Sequence, residues 1–241
     1  MRQPSRKQLW IAGALALVAS ALFAVYVAAG FLDSDPLHFF GVRGPRPRYV
    51  AVLFSGDMGL RMGMSAYTAK AFNRQGVPVL GVSSSTEFAT HKSRADVDSL
   101  VARAVRSALA RTHAKQVILI GQSFGADIVR VALADFPSAL RDKIAAVVLV
   151  VPGQTAYFHA DPTGLSYRGT PDAGPEEAAK IDWASILCIR GSEETDSLCP
   201  LLKSANVRSI TLPGGHFLHR DHAQLGHTII SALAPLFGDV K

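Results

Sequence analysis

A serine with a glycine two residues before it and another two residues after it is the best candidate for a catalytic residue in this chain. The segment Gly121-Gln122-Ser123-Phe124-Gly125 matches the pattern G-x-S-x-G and lies between a strand-like apolar run and a helix-like apolar run. In a sharp strand-to-helix turn of this kind, the serine hydroxyl projects above the sheet and can act as a nucleophile. The flanking glycines permit the close packing of strand and helix that the turn requires. The alternative is a plain tight turn, but the context favours a nucleophilic Ser123.

A histidine late in the chain is the candidate base. A serine hydroxyl is a weak nucleophile at neutral pH and needs a base to activate it. In a serine hydrolase built on such a turn, the acid and then the histidine follow the serine along the chain. Of the eight histidines, His216 fits this order best, because it lies on the glycine-rich loop LPGGHF after the last strand-like run. We therefore predict His216 as the base of Ser123.

The acid that orients this histidine is expected on the loop GSEETDS, residues 191–197, which follows a strand-like run. Two side chains on that loop fit the role, Asp196 and Glu194. We favour Asp196 as the catalytic acid and keep Glu194 as the alternative. Asp196 could instead cap a helix beginning at Ser197.

Backbone amides near the serine are the candidate oxyanion hole, which must aim two N–H groups at the developing negative charge. One should be the amide of Phe124, directly after the nucleophile. The second should come from the loop SGDMG after the first strand-like run, from the amide of Asp57 or Met58.

Two further polar residues, Asp127 and Gln122, lie beside the predicted nucleophile and have either a structural or a substrate-binding role. Asp127 is about one helical turn beyond Ser123. An acid there complements the helix dipole, or it orients the loops around the turn or attracts a cationic group of the substrate.

The elements that must position these residues alternate between strand-like and helix-like segments from residue 49 onward. Near-continuous apolar runs are typical of strands buried in a parallel sheet, and segment 94–112 shows the clearest helical periodicity. The strand-like runs are 49–54, 77–82, 116–121, 144–151, 185–190 and 207–212. We predict an α/β-hydrolase fold, with a mostly parallel six-stranded sheet and helices on both faces. The irregular segment 152–180 is either a lid or binding loop or a decorated crossover.

The N-terminus has the pattern of a membrane segment. A basic n-region, residues 1–8, precedes the uncharged stretch 9–32, which is long enough to cross ~30 Å of hydrocarbon. We favour a single-pass signal anchor in the inner membrane over a cleaved signal peptide, because the apolar core exceeds the roughly 7–15 residues usual for the latter. A linker, 33–48, then leads to the α/β-hydrolase domain, 49–241, which we expect in the periplasm. Cleavage would leave that domain soluble there.

The two cysteines and the composition narrow the chemistry further. In an oxidising compartment Cys188 and Cys199 could pair, and we favour this disulfide over two reduced, buried thiols because both flank one strand-to-helix connection. The net charge of +6 comes partly from the n-region, and no Lys/Arg run interleaved with aromatics follows, so we expect no nucleic-acid partner. The sequence has no metal-ligating constellation and no glycine-rich phosphate loop after a strand, so we expect no metal and no cofactor.

Three segments of the chain resemble the AcvB/VirJ family of bacterial virulence-associated proteins. These are GQSFGAD at 121–127, CIRGSEETDSLCP at 188–200 and LPGGHF at 212–217, and the first-strand loop SGD fits as well. The resemblance covers roughly residues 50–233. It implies Ser123, Asp196 and His216 as the matching catalytic positions, export to the periplasm, and a link of some members to type IV secretion components. The chain departs from the family pattern at GDMGL in place of GDGGW, at Gln122 and at Phe217.

The resemblance also implies a substrate class, because family members hydrolyse the aminoacyl ester of aminoacyl-phosphatidylglycerol, in its lysyl or alanyl form. We therefore expect a membrane-anchored serine ester hydrolase that acts on this lipid through an acyl-enzyme. The alternatives are a generic lipase, esterase or thioesterase, and a non-catalytic periplasmic adaptor for a secretion system. The Ser–acid–His pattern argues against the adaptor.

Overall fold

A computed structural model describes residues 5–44 and 46–237 as an N-terminal helix joined to an α/β body. The strands are β1 Leu37–Phe40, β2 Tyr49–Phe54, β3 Val79–Val82, β4 Gln116–Gln122, β5 Ile144–Val150, β6 Ile186–Gly191 and β7 Val207–Leu212. The helices are α1 Arg6–Ala28, α2 Ser65–Arg74, α3 Ser84–Glu87, α4 Arg94–Thr112, α5 Phe124–Ala134, α6 Ser138–Arg141, α7 His222–Ala232 and α8 Ala234–Phe237. Short 3₁₀ turns lie at Ser166–Arg168, Pro175–Lys180, Cys199–Leu201 and Leu218–Arg220.

The strands form one twisted layer in the order β1-β3-β2-β4-β5-β6-β7. All neighbouring pairs are parallel except β1 and β3, which are antiparallel. Because parallel strands need crossover connections, helices cover both faces of the sheet. The predicted fold class is confirmed, and each of the six predicted strands is present.

A seventh strand, β1, lies where the sequence predicts only a linker. Leu37 pairs with Val82 and Phe40 pairs with Val79, so β1 covers the free edge of β3. Four residues directly after Pro36 are too few to show a periodicity of two, and the strand depends on its partner rather than on its own sequence. Residues 37–40 of the predicted linker are therefore part of the sheet.

Two apolar clusters hold the layers together, one on each face of the sheet. Side chains of α4 and α5 pack on one face, and side chains of α2 and α7 pack on the other. Helix α4 has the predicted bounds because Ser93 and Asp96 form a capping box at its start and His113 ends it in the left-handed conformation, at φ 54°. The central strands β2 and β4 are buried between the two helical layers.

Helix α1 is the longest helix of the described residues, and every one of its residues is exposed. It is uncharged after Lys7 and long enough to cross a membrane by length and composition. Helix α1 stops at Ala28, four residues before the end of the predicted membrane segment 9–32, and the next three residues are buried against the body. Residues 1–4 of the n-region and 238–241 of the domain lie outside the described residues.

Candidate active site

The turn between β4 and α5 holds Ser123 in the geometry that a nucleophile requires. Ser123 has φ 52° and ψ −125°, a conformation that a side chain rarely adopts. A Cβ added to Gly121 would overlap the backbone of residues 125 and 126, and one added to Gly125 would overlap the carbonyl oxygens of Phe54 and Ser55. Both glycines are therefore needed for the close approach of β4, α5 and β2 that forms the turn.

Three side chains from three loops form a continuous chain of hydrogen bonds. The hydroxyl oxygen of Ser123 lies 2.7 Å from Nε2 of His216. Nδ1 of the same imidazole lies 2.9 Å from Oε1 of Glu194. The three residues follow β4, β7 and β6, so the sheet brings them together at the edge where its parallel strands end. We call this the carboxyl edge.

The carboxylate that contacts His216 belongs to Glu194, the alternative acid, and not to the favoured Asp196. The side chain of Glu194 is only 4% exposed, and its second oxygen accepts a hydrogen bond of 2.7 Å from the amide of Gly191. Asp196 is exposed, and its backbone carbonyl accepts from the amide of Gln154. The longer glutamate side chain folds back over the start of its own loop and reaches the imidazole. The backbone at Asp196 is instead fixed by its hydrogen bond to the amide of Gln154.

The surroundings of His216 change its basicity in two opposing ways. Burial lowers the pKa of His216, but the hydrogen bond and negative charge of Glu194, with smaller effects of Asp127 and Asp196, raise it by more. The net pKa lies above its ordinary value of 6.5. The imidazole is therefore a stronger base than an isolated histidine, as proton removal from a serine hydroxyl requires.

A cavity of about 910 Å³ opens over Ser123 and His216. Much of its wall is the loop 56–64, which follows β2 and which we call the pocket loop. A second wall comes from segment 152–180, which contributes Gly153, Thr155, Tyr157, Pro162 and Tyr167. That segment therefore forms part of the binding cavity, which favours the binding-loop interpretation over a decorated crossover.

The predicted oxyanion-hole residues lie around the serine. Phe124 is the first residue of α5, and Phe124, Asp57 and Met58 all line the cavity. The loop carrying Asp57 is close to the nucleophile, since a Cβ on Gly56 would lie 3.6 Å from Cβ of Ser123.

Asp57 also joins the two walls of the cavity. The hydroxyl of Tyr167 donates to its carboxylate at 3.1 Å and accepts from the amide of Asp161 at 2.9 Å. Burial raises the pKa of Asp57, while the hydrogen bond from Tyr167 opposes that rise. Sequence reasoning missed Tyr167, for which the aromatic residues of segment 152–180 were the available signal.

Asp127 lines the cavity and is hydrogen-bonded to the start of segment 152–180. Its Oδ1 accepts from the amide of Gly153 at 2.9 Å and lies 3.6 Å from Nε of the fully buried Arg130. Burial raises the pKa of Asp127 to about 7, against the opposing charge of Arg130 and the hydrogen bond from Gly153. Arg130 donates to the carbonyls of Gly174 and Gln154, so it anchors segment 152–180. Sequence reasoning missed this arginine, although a charge within the apolar helix FGADIVRVALA was the signal.

Gln122 has a structural contact. Its side-chain oxygen accepts a hydrogen bond of 3.0 Å from the hydroxyl of Ser65, and both side chains are buried. Because Ser65 begins α2, this bond ties the end of the pocket loop to the strand that carries the nucleophile.

The acid loop is closed by a disulfide. Cys188 in β6 is bonded to Cys199, with 5.6 Å between their Cα atoms, which confirms the predicted pairing. The bridge spans the loop that carries Glu194. Among residues 5–44 and 46–237, no group of three or more His, Cys, Asp or Glu side chains is arranged to hold a metal ion.

The fold and the arrangement at the carboxyl edge are those of the α/β hydrolases. Solved structures with the same fold include Est1E from Butyrivibrio proteoclasticus, at 12% identity and a TM-score of 0.57 over 82% of this chain and 94% of that one. The esterase domain of a Rhodothermus marinus protein is 15% identical, at a TM-score of 0.56 over 81% and 90%. An alpha-beta serine hydrolase homologue from Coxiella burnetii is 16% identical, at a TM-score of 0.57 over 82% and 90%.

The sequence itself assigns the chain to a narrower group. Residues 48–235 match the model of the family described as bacterial virulence protein (VirJ), so the chain belongs to that family. No curated protein sequence matches it significantly.

Proposed function

We propose that this protein is a membrane-anchored serine ester hydrolase that cleaves the aminoacyl ester of aminoacyl-phosphatidylglycerol. The observation that carries the proposal is the hydrogen-bonded chain from Ser123 through His216 to Glu194, open to a cavity of about 910 Å³. A serine hydroxyl within 2.7 Å of an imidazole that is itself held by a carboxylate is the arrangement of an activated nucleophile.

The acylation step uses each member of this chain. Oγ of Ser123 attacks the ester carbonyl carbon while Nε2 of His216 takes the hydroxyl proton. Glu194 holds the other ring nitrogen protonated and stabilises the imidazolium that forms. The amide of Phe124, with that of Asp57 or Met58, stabilises the oxyanion. The tetrahedral intermediate then breaks its bond to the glycerol oxygen, which takes the proton from His216 and leaves as phosphatidylglycerol.

The deacylation step repeats this chemistry with water as the nucleophile. His216 removes a proton from the water, whose oxygen attacks the carbonyl carbon of the aminoacyl-serine. Collapse of the second tetrahedral intermediate releases the amino acid and returns the proton to Oγ of Ser123. The net reaction consumes one water and yields a free amino acid and phosphatidylglycerol.

The charges that line the cavity support an aminoacyl lipid as the substrate. Asp127 and Asp57 line it as partly buried side chains, whereas Arg220 and Arg61 line it as exposed ones, with Arg61 also paired to Asp33. The exposed Asp196 is a third carboxylate in the lining. An aminoacyl-phosphatidylglycerol carries an ammonium group on the acyl side of the ester and a phosphate on the alcohol side. The carboxylates therefore suit the acyl side and the arginines suit the phosphate. An ammonium beside Asp127 would favour its ionised form.

The membrane helix and the disulfide support a position outside the cytoplasm. Arg6 and Lys7 lie at the N-terminal end of α1, and basic residues favour the cytoplasmic side of a membrane. The body beyond α1 is then placed in the periplasm, where a bond such as Cys188–Cys199 persists. In this proposal the enzyme works on the periplasmic leaflet of the inner membrane.

The test is the release of free lysine or alanine from the corresponding aminoacyl-phosphatidylglycerol by the full-length protein in detergent, beside Ser123→Ala. We expect release by the wild type and its loss in the variant. Hydrolysis of simple esters without any release from aminoacyl lipids would overturn the lipid assignment and leave a generic esterase.

A further inference from the structure

The first residues after the membrane helix are fixed to the body rather than free. We call Ala29–Asp33 the clamp. Ala29, Gly30 and Phe31 are buried, although the preceding helix is wholly exposed. The hydroxyl of Ser85 donates to the carbonyl of Ala29, and that of Thr86 donates to the carbonyl of Gly30 at 2.7 Å. The clamp therefore attaches to the body through its backbone.

An ion pair closes the other end of the clamp. The guanidinium of Arg61 lies 2.8 Å from the carboxylate of Asp33. Gly59 approaches the clamp so closely that an added Cβ would overlap the carbonyl oxygen of Ala29. Gly59 and Arg61 both belong to the pocket loop and both line the cavity. The pocket loop thus contacts the clamp and also forms part of the cavity wall.

No spacer separates the clamp from the membrane helix. Helix α1 has 23 residues and a length of about 35 Å, close to the ~30 Å of a hydrocarbon core, so it has little length to spare above the bilayer. The helix ends at Ala28 and the clamp begins at the next residue. The surface of the membrane must therefore lie beside the groups that bind the clamp.

Those groups lie at the carboxyl edge of the sheet. Ser85 and Thr86 follow β3, and Gly59 and Arg61 follow β2. Ser123 follows β4 at the same edge, as Glu194 and His216 follow β6 and β7. The attachment of the membrane helix and the candidate active site therefore share one edge of the molecule.

The exposed part of the cavity lining includes two aromatic side chains and two arginines. We call these four residues, Arg61, Tyr67, Phe217 and Arg220, the rim; the exposed lining also includes Gly63, Thr155, Pro162, Asp196 and His216. Phe217 is 66% exposed and Tyr67 is 50% exposed. Aromatic side chains and arginines together are typical of protein surfaces at the level of lipid headgroups.

We propose that the clamp holds the rim against the surface of the bilayer that α1 crosses, so that the cavity takes its ester directly from an anionic phospholipid of that leaflet. This inference rests on the proposed function for the identity of the ester, but the orientation itself is independent of catalysis. The occupant of the rim is the lipid surface, and α1 with its clamp fixes the angle at which the rim meets it.

A depth measurement tests the orientation without reference to activity. Both native cysteines are in the disulfide, so a substituted cysteine is the single reactive thiol. Full-length protein with Phe217→Cys carries a nitrobenzoxadiazole label and is reconstituted in phosphatidylglycerol vesicles with or without a nitroxide-labelled lipid. Lys115→Cys is the matched control, because Lys115 is exposed at the opposite edge, just before β4.

We expect the lipid-borne nitroxide to quench the label at position 217 severalfold more strongly than the label at position 115. Equal quenching at the two positions would overturn the proposal and would leave the rim free for a soluble partner. Since no substrate is present, this result is independent of whether the proposed function is correct.

A linker insertion tests the consequence for turnover. A flexible Gly/Ser linker of about 12 residues, with a mean span of roughly 19 Å, is placed between Ala28 and Ala29, so that the clamp stays bound but the body is released from the helix. We expect hydrolysis of a soluble ester to be unchanged and hydrolysis of an aminoacyl lipid in vesicles to fall about tenfold, because the fixed geometry is lost. Unchanged lipid turnover would overturn the proposal, whereas absence of soluble-ester hydrolysis in the parent protein would contradict the proposed function instead.

Discussion

At the scale of single residues, the position of Glu194 decides which carboxylate supports the base. Its two oxygens are divided between His216 and the amide of Gly191, so the side chain is held at both ends. Asp196 acts on the imidazole only through its charge. The two acids of this loop thus differ in their relation to the imidazole: Glu194 makes a hydrogen bond with it, and Asp196 does not.

This separation predicts unequal losses of activity. Glu194→Gln should lower kcat by about 10³–10⁴-fold, because an amide no longer stabilises the imidazolium or its tautomer. Asp196→Asn should lower kcat by less than about tenfold, since only a screened charge is removed. The measurement is turnover of a soluble ester by each purified variant, with circular dichroism to establish folding. A loss in Asp196→Asn as large as that in Glu194→Gln would restore Asp196 as the acid.

The raised pKa of His216 predicts the direction of the pH dependence. Nε2 can take the serine proton only when the imidazole is neutral, so activity is lost as the pH falls through the pKa of His216. We expect kcat/KM for a soluble ester to rise with pH through a midpoint above 6.5. In Glu194→Gln the midpoint should shift downward, because the largest contribution that raises the pKa is removed. A wild-type midpoint below 6.5 would contradict the geometry described for the imidazole.

Asp127 predicts selectivity for a cationic acyl group. Asn at position 127 keeps an oxygen for the amide of Gly153 but cannot carry the charge that pairs with an ammonium. We expect Asp127→Asn to reduce the ratio of kcat/KM for an alanyl ester to that for an acetyl ester of the same alcohol by about 10–100-fold. The acetyl ester serves as the internal control. Equal losses for both esters would assign Asp127 only to bracing the loop at Gly153.

At the scale of elements, the disulfide fixes the loop that carries the acid. Cys188 is in β6 and Cys199 begins a 3₁₀ turn, so the bridge joins both ends of the segment around Glu194. Closing a loop of this size stabilises a protein by about 3 kcal/mol in the chain-entropy account.

We therefore expect reduction of the disulfide to lower the free energy of unfolding by about that amount. Urea denaturation of the oxidised and reduced protein measures it, and Cys188→Ala/Cys199→Ala, which has no disulfide to reduce, is the control for the reductant. A reduced protein as stable as the oxidised one would show that packing alone holds the acid loop.

The strands, the main helices and the nucleophile turn could be predicted because local patterns determine them. The start of α4 follows from Ser93 and Asp96, and the turn at Ser123 follows from two glycines between apolar runs. Strand β1 was missed because it forms only against the edge of β3. The choice between Glu194 and Asp196 depends on side-chain reach across a folded loop, which spacing along the chain does not contain. The end of α1 at Ala28, inside the predicted membrane segment 9–32, could not be read from the sequence because apolar residues suit a lipid core and a protein core equally.

At the scale of the whole molecule, one edge of the sheet carries the nucleophile, its base and acid, the cavity mouth and the attachment of the membrane helix. This coincidence follows from the parallel sheet, because every loop after a strand reaches the same edge. In the proposed orientation, the clamp adds the membrane surface to that edge. A lipid ester would then need to leave the bilayer by no more than the depth of the cavity to reach Ser123.

In the proposed function, Ser123 is a nucleophile activated by His216. Covalent labelling of the full-length protein in detergent by a fluorescent fluorophosphonate, beside Ser123→Ala, tests this role directly. We predict labelling of the wild type at a single site and no labelling of the variant. A wild type that is folded, as judged by circular dichroism, and yet unlabelled, or a Ser123→Ala variant labelled to the same extent, would contradict the account.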